Sequence, residues 1–187
     1  MKLIITRHGE TIQNKNKILQ GQTHGKLSDL GLDQAKKLGL RFKDIKIDEI
    51  YSSDLNRAYY TAKEIEKYHE HITIKKDKRI REKHLGELQG KPMPKDFSFD
   101  NSPSSIETSQ ELEKRTENFL NEIMQKHTGK TVLVVCHGGT KRSLLKLITD
   151  SNKEIYEIIM HNTSVSIFNL KEQKFESETI NCTKHLD

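Results

Sequence analysis

The run Thr131-Val132-Leu133-Val134-Val135-Cys136 is the feature that most restricts what this chain can become. It is β-branched and continuous rather than alternating, so it predicts a strand apolar on both faces. Such a strand is central, and the sheet around it needs helices on each side. Leu3-Ile4-Ile5 is a second, shorter candidate of the same kind. Each run ends in a histidine followed by glycine, Arg7-His8-Gly9 in one case and Cys136-His137-Gly138-Gly139 in the other.

Between these two runs the pattern alternates. A polar loop through Gly25 precedes a helix from about Ser28, with Gly31, Ala35, Leu38 and Phe42 on one face. Ile45 to Ser52 reads as a strand. The helix after it carries Leu55, Ala58, Tyr59, Ala62 and Ile65 and is expected to be capped by Ser53 or Asp54. Ile72-Thr73-Ile74 alternates as a third strand would. From Arg79 to about Gln110 the pattern dissolves into a loop expected to lie over the site. Thr108 with Glu111 resembles a capping box opening a helix through Met124. A helix with Leu144, Leu145, Leu147 and Ile148 follows His137, and Val165–Leu170 and Phe175–Ile180 close the chain as two strands. Strands alternating with helices predict a three-layer α/β/α sandwich on a mostly parallel sheet. We expect one domain over residues 1–187, with a lid-like insertion at about 83–110.

In open α/β sheets the C-terminal strand edge is where ligands bind, so the paired His-Gly sequences predict one shared site there. Glycine after each histidine lets the backbone approach an oxyanion and present its N–H. Arg7 and Arg57 are the natural phosphate clamps, because a guanidinium offers a planar fork of donors that lysine lacks. The formal charge of +5 favours anionic ligands. It does not point to nucleic acid, since Trp is absent, aromatics are 6%, and no lysine run alternates with stacking residues. The two cysteines, Cys136 and Cys182, lie far apart and suggest a reduced, cytoplasmic protein. The three apolar residues at the N-terminus are too few for a secretion signal, and no run is long enough to span a membrane. His69 and His71 read as solvated surface rather than ligands, and no spacing matches a zinc site.

Arg7-His8-Gly9-Glu10-Thr11 with Asn14 and then Gln20-Gly21 resembles the opening signature of the histidine phosphatase superfamily, also called phosphoglycerate mutase-like. The resemblance continues through Leu27-Ser28-Asp29-Leu30-Gly31, Tyr51-Ser52-Ser53-Asp54-Leu55-Asn56-Arg57-Ala58, Arg81-Glu82 before Gly86, and His137-Gly138-Gly139. The segments fall in the family's order and cover nearly the whole chain.

The resemblance implies a phosphatase working through a phosphohistidine. His8 would be the nucleophile, with one ring nitrogen fixed by a backbone carbonyl. Arg7, Arg57 and His137 would surround the phosphoryl group, each such donor typically contributing ~3 kcal/mol to the transition state. Asn14, Gln20, and backbone N–H groups at Gly21 or Gly138 would add neutral donors. Glu82 would protonate the leaving alkoxide and then activate water, with Glu10 and Glu87 as conceivable substitutes. For the first step it must carry a proton, which a partly buried carboxyl beside a phosphate favours. Cationic side chains take the place of a metal ion, so neither a metal nor any other cofactor is expected. The partner is a small phosphorylated substrate, and the protein is expected to be a monomer or a homodimer.

Hydrolysis is expected ahead of mutase activity. The stretch after Glu82 is short and lacks the paired arginines of glycolytic mutases, and little tail follows the last strand. A non-catalytic phosphate-binding module is the alternative of another class, and it fits less well because all five catalytic positions are present. The family's Gly-Trp-Glu-Gly run here reads Gly86-Glu87-Leu88-Gln89-Gly90, and Ile106-Glu107-Thr108 replaces its Gly-Glu-Ser. Both changes leave the substrate open. Lys83, Lys91 and Lys95 could favour a second anionic group on it.

Overall fold

A computed structural model describes residues 1–92, 103–149, 155, 157–172 and 174–187. Six strands form one sheet in the order β3-β2-β4-β1-β5-β6. They are β1 (Lys2–Arg7), β2 (Glu49–Ser52), β3 (Lys75–Lys76), β4 (Thr131–Cys136), β5 (Val165–Lys171) and β6 (Lys174–Cys182). β1 to β4 run parallel to one another, while β5 is antiparallel to β1 and β6 to β5. The sheet is therefore mostly parallel and flanked by helices, as the alternating pattern predicts.

The helices are α1 (Ile12–Lys15), α2 (Asp29–Phe42), α3 (Asn56–Glu66), α4 (Ser109–Lys126) and α5 (Gly138–Thr149). Side-chain period decides which layer each strand residue joins. Leu3 and Ile5 of β1 pack with Phe119 and Ile123 of α4 and Leu144 and Leu145 of α5. Ile4 between them packs with Leu38 and Phe42 of α2 and Ala62 and Ile65 of α3. β4 is buried on both faces, with Val132 through Cys136 all at 0% exposure.

Local chemistry fixes where the helices start. Ser28 Oγ accepts from the Gly31 amide at 3.0 Å and opens α2. Thr108 and Glu111 form the expected reciprocal capping box on α4. α3 departs from expectation: its cap is Leu55, with no side-chain cap bond. Asp54 is unavailable for capping because both its oxygens accept from Arg81, at 2.7 and 2.5 Å. Ser53 Oγ accepts only from the Leu55 amide, at 3.3 Å.

Three more expectations are corrected. Ile72 and Ile74 are buried in the α2–α3 layer but precede the strand, which is only Lys75–Lys76. Their alternation reports one-sided burial rather than strand pairing. The loop after Glu10 contains α1, opened by a capping box of Thr11 and Asn14. His69 is not solvated: it is 4% exposed, and its Nε2 donates to the Phe42 carbonyl at 3.2 Å. The stretch containing Lys95 lies outside the described residues.

Candidate active site

Strand register brings the two His-Gly sequences together. Arg7 pairs with Cys136 across β1 and β4, and the His8 amide donates to the Cys136 carbonyl at 3.0 Å. The two imidazoles that follow have ring centroids 5.2 Å apart. β2 ends at the same edge, where the Ser53 amide donates to Val135 O at 3.0 Å, and α3 then carries Arg57 in from its first turn.

His8 is 2% exposed. Its Nδ1 lies 2.7 Å from the Gly9 carbonyl, which can only accept, so Nδ1 carries the proton and Nε2 keeps its lone pair. That lone pair accepts from Arg57 Nε at 3.2 Å. Arg57 is immobilised, its other two nitrogens donating to Gly21 O and Thr23 O, each at 2.7 Å. Gly21 presents that carbonyl from φ +50°, and a Cβ there would sit 2.3 Å from Gln89 Oε1.

Burial dominates the electrostatics. It pulls Arg57 down to about 10, against the partial support of Glu82. It lowers Arg7 in the same way. His8 and His137 are held well below the usual histidine value, first by burial and then by the Arg57 guanidinium. Both rings are therefore neutral at pH 7. His137 has neither ring nitrogen paired among the described residues, and Arg7 Nε is likewise buried without a partner. Buried polar atoms of this kind are costly unless something satisfies them.

Arg7, His8 and Arg57 border a cavity of about 1150 Å³. Of the residues singled out in the sequence, Arg7, His8, Asn14, Gln20, Gly21, Arg57 and Glu82 line it. His137 is fully buried beside His8 and is not in the lining. Gly138 does not line the cavity, although its neighbour Gly139 does. Asn14 Oδ1 is committed to the Thr11 amide and hydroxyl, so its amide nitrogen is the end left to donate. Glu10 and Glu87 are not in the lining, and Glu10 accepts from Ser28 Oγ at 2.7 Å. Lys83 lines the cavity, whereas Lys91 is exposed and outside it.

Glu82 is set by main-chain donors: Oε1 accepts from Lys83 N at 2.8 Å and Oε2 from Gly139 N at 3.1 Å. Its loop is held by Arg115 of α4, which donates to the carbonyls of Arg81 at 2.7 Å and Glu82 at 2.9 Å. The sequence reading did not single out Arg115. It also missed Arg142, Ser143 and Lys146, which line the cavity with Gly139. Their spacing held a signal, because positions 139, 142, 143 and 146 form a single helical stripe starting beside His137.

The arrangement can hold an anionic phosphoryl group between two guanidiniums, facing the His8 imidazole whose lone pair is fixed. The histidine phosphatase superfamily (branch 1) sequence profile matches residues 3–183. The chain is 35% identical to "Phosphoglycerate mutase-like protein 4" of Arabidopsis thaliana, over 90% of this chain and 79% of that one. It is 31% identical to the "Metal-independent phosphoserine phosphatase" of the same plant, over 99% and 83%. Among solved structures, Bacillus stearothermophilus YhfR superposes with a TM-score of 0.92 at 27% identity, covering 100% of this chain and 99% of that one. Among the described residues no helix is long and apolar enough to cross a membrane. The order of the motifs, the strand-edge site and these relatives agree: the chain belongs to the histidine phosphatase superfamily.

Proposed function

We propose that residues 1–187 act as one domain, a cytoplasmic phosphomonoester hydrolase that works through a phosphohistidine on a small phosphorylated metabolite. The observation that carries this reading is the tautomer of His8, with Nδ1–H on Gly9 O and the Nε2 lone pair turned to Arg57. In the first step Nε2 attacks phosphorus, the ester P–O bond breaks, and Glu82 gives its proton to the departing alkoxide. In the second, Glu82 takes a proton from water, the oxygen attacks phosphorus, and the N–P bond breaks to release phosphate. Arg7, Arg57 and His137 carry the charge on the equatorial oxygens through both steps. Asn14, Gln20 and the main-chain N–H at Gly21 supply neutral donors.

The relative named a metal-independent phosphoserine phosphatase supports hydrolysis without a metal. The test is turnover of a chromogenic aryl phosphate in EDTA, with His8→Ala as control. Chelator-resistant hydrolysis that disappears in the variant is the expected result. Phosphate binding without turnover of any ester would point to a binding module instead.

Mutase activity is the second reading, supported by the relative named phosphoglycerate mutase-like. Supplying 3-phosphoglycerate with and without 2,3-bisphosphoglycerate separates the two. Formation of the 2-isomer without phosphate release, followed by NMR, would replace hydrolysis as the activity.

A further inference from the structure

The chemistry above leaves one buried charge unused. Lys141 lies in the first turns of α5, four residues past His137, and is 0% exposed. Its Nζ donates to the Ser164 carbonyl at 2.8 Å, to Ser164 Oγ at 2.8 Å and to Asn181 Oδ1 at 3.5 Å. Burial lowers its proton affinity most, Arg7 of β1 and Arg41 of α2 add repulsion, and among the described residues no ion pair offsets them. An ammonium placed this way is costly to bury, so what it holds deserves a physical account.

It holds a turn. Ser164 Oγ and N both donate to the His161 carbonyl, at 2.7 and 3.2 Å, closing residues 161–164. Inside that turn Thr163 is fully buried at φ +53°, a backbone region that a β-branched residue occupies only when its surroundings over-determine it. The turn in turn grips the main chain at the candidate site. The Thr163 amide donates to Arg7 O at 3.1 Å and to His8 O at 3.3 Å, and Asn162 Nδ2 donates to His8 O at 2.9 Å.

We propose that Lys141 is a positioning residue: its Nζ fixes the His161–Ser164 turn, and the turn fixes the two main-chain carbonyls on either side of His8. The inference rests on the reading of His8 as the nucleophile. Lys141 touches no reacting atom. It acts through two links, Ser164 and then Asn162 with Thr163, while Arg7 stays held by its ladder pairing with Cys136. Its effect therefore falls on the angle of the His8 ring rather than on grip of the phosphate by Arg7 and Arg57.

The test is Lys141→Met, which keeps the buried stem and removes every donor. Losing the brace should lower kcat about 10- to 100-fold, the scale on which small misplacement of a reacting group acts. KM and the affinity for inorganic phosphate should stay within about twofold of wild type. The ¹⁵N resonances of the His8 ring should move. Ser164→Ala, combined with Lys141→Met, should add little to its effect, because both cut the same path.

An unchanged kcat with unmoved His8 resonances overturns the proposal, as do independent, multiplying effects of the two substitutions. Should Lys141→Met fail to fold, Ser164→Ala alone carries the test. It leaves Lys141 in place and removes one of its acceptors, and it must lower kcat at constant KM. If wild type turns over no phosphate ester, it is the nucleophile reading that fails. The His8 resonances in Lys141→Met still report whether the brace exists.

Discussion

Arg57 Nε donates to His8 Nε2 across 3.2 Å, so the group that would grip the phosphate also engages the nucleophile's lone pair. Arg57 cannot swing away, because its other nitrogens are tied to the Gly21 and Thr23 carbonyls. Each terminal nitrogen keeps a second N–H for an incoming phosphate, and a phosphate oxygen that takes Nε–H as well frees the lone pair as phosphorus arrives. A lysine can supply the charge but not three donors in one plane. Arg57→Lys should therefore lose about 100-fold or more in kcat/KM, close to the loss in Arg57→Ala, when aryl phosphate hydrolysis is followed at steady state. Near-wild-type turnover by the lysine variant would show that charge alone suffices.

Stability should climb with pH through two windows. His8 and His137 are kept neutral by burial and by Arg57, with proton affinities far below the usual histidine range. The unfolded chain takes up protons at those positions below about pH 6.5, so acidification favours unfolding. Lys141 acts higher up. Burial pulls it down to about 7, while an unfolded lysine holds its proton to 10.5, so stability rises further from about 7 until Cys136, pushed up to about 12 by burial, opposes it above about 9. Thermal melts across pH 5 to pH 10 should show both slopes. Lys141→Met should flatten the upper one and His137→Asn the lower one. Melting temperatures that do not change with pH in either window would contradict these burial-driven shifts.

The sequence announces what repeats locally and hides what depends on distant partners. β4 is legible because six successive residues are apolar or β-branched, and α4 because Thr108 and Glu111 cap each other within one turn. The start of α3 is not legible, since Asp54 is withdrawn from capping by Arg81, 27 residues away. β3 misleads for a related reason: Ile72 and Ile74 alternate as strand residues do, yet only Lys75 and Lys76 pair with β2. At the site, His8, Arg57 and Glu82 announce themselves by motif and cluster in space. Arg115 does not, because its partners are carbonyl oxygens, which have no residue identity to read.

Those carbonyl bonds make Arg115 a lever on Glu82. It grips the main chain of Arg81 and Glu82 and is itself anchored on Glu107, Nε to Oε1 at 2.5 Å. A proton donor matters most when the leaving group is a poor one. Glu82→Gln should cut kcat/KM, which reports the phosphorylation step, about 100-fold for an alkyl phosphate such as glycerol phosphate while sparing kcat/KM for a nitrophenyl phosphate, whose leaving group needs little help. Arg115→Met should reproduce that selectivity in weaker form. Equal losses in kcat/KM on both substrates would place Glu82 in phosphate binding instead of proton transfer to the leaving group.

Backbone packing against the nucleophile yields a sharper contrast between two glycines. Gly31, in the first turn of α2, lies so close to the main chain after His8 that an added Cβ would sit 1.9 Å from the Glu10 carbonyl oxygen. On the other side, a Cβ at Gly9 would sit 2.4 Å from Gly31 O. Neither neighbour is a flexible side chain, so relief requires moving the segment that carries His8. Gly31→Ala should cost roughly 1–3 kcal/mol of stability, as overpacking typically does. It should also lower kcat, because the displaced backbone is that of the site. Gly129 differs: at φ +75° with nothing within 4 Å of its Cβ position, its substitution strains only the local turn. Gly129→Ala should cost about 1 kcal/mol for that left-handed backbone and leave kcat unchanged. Melts and steady-state rates on the pair decide the matter. Equal kinetic loss in both variants would mean that general loosening of the fold, not pressure on the His8 segment, governs the site.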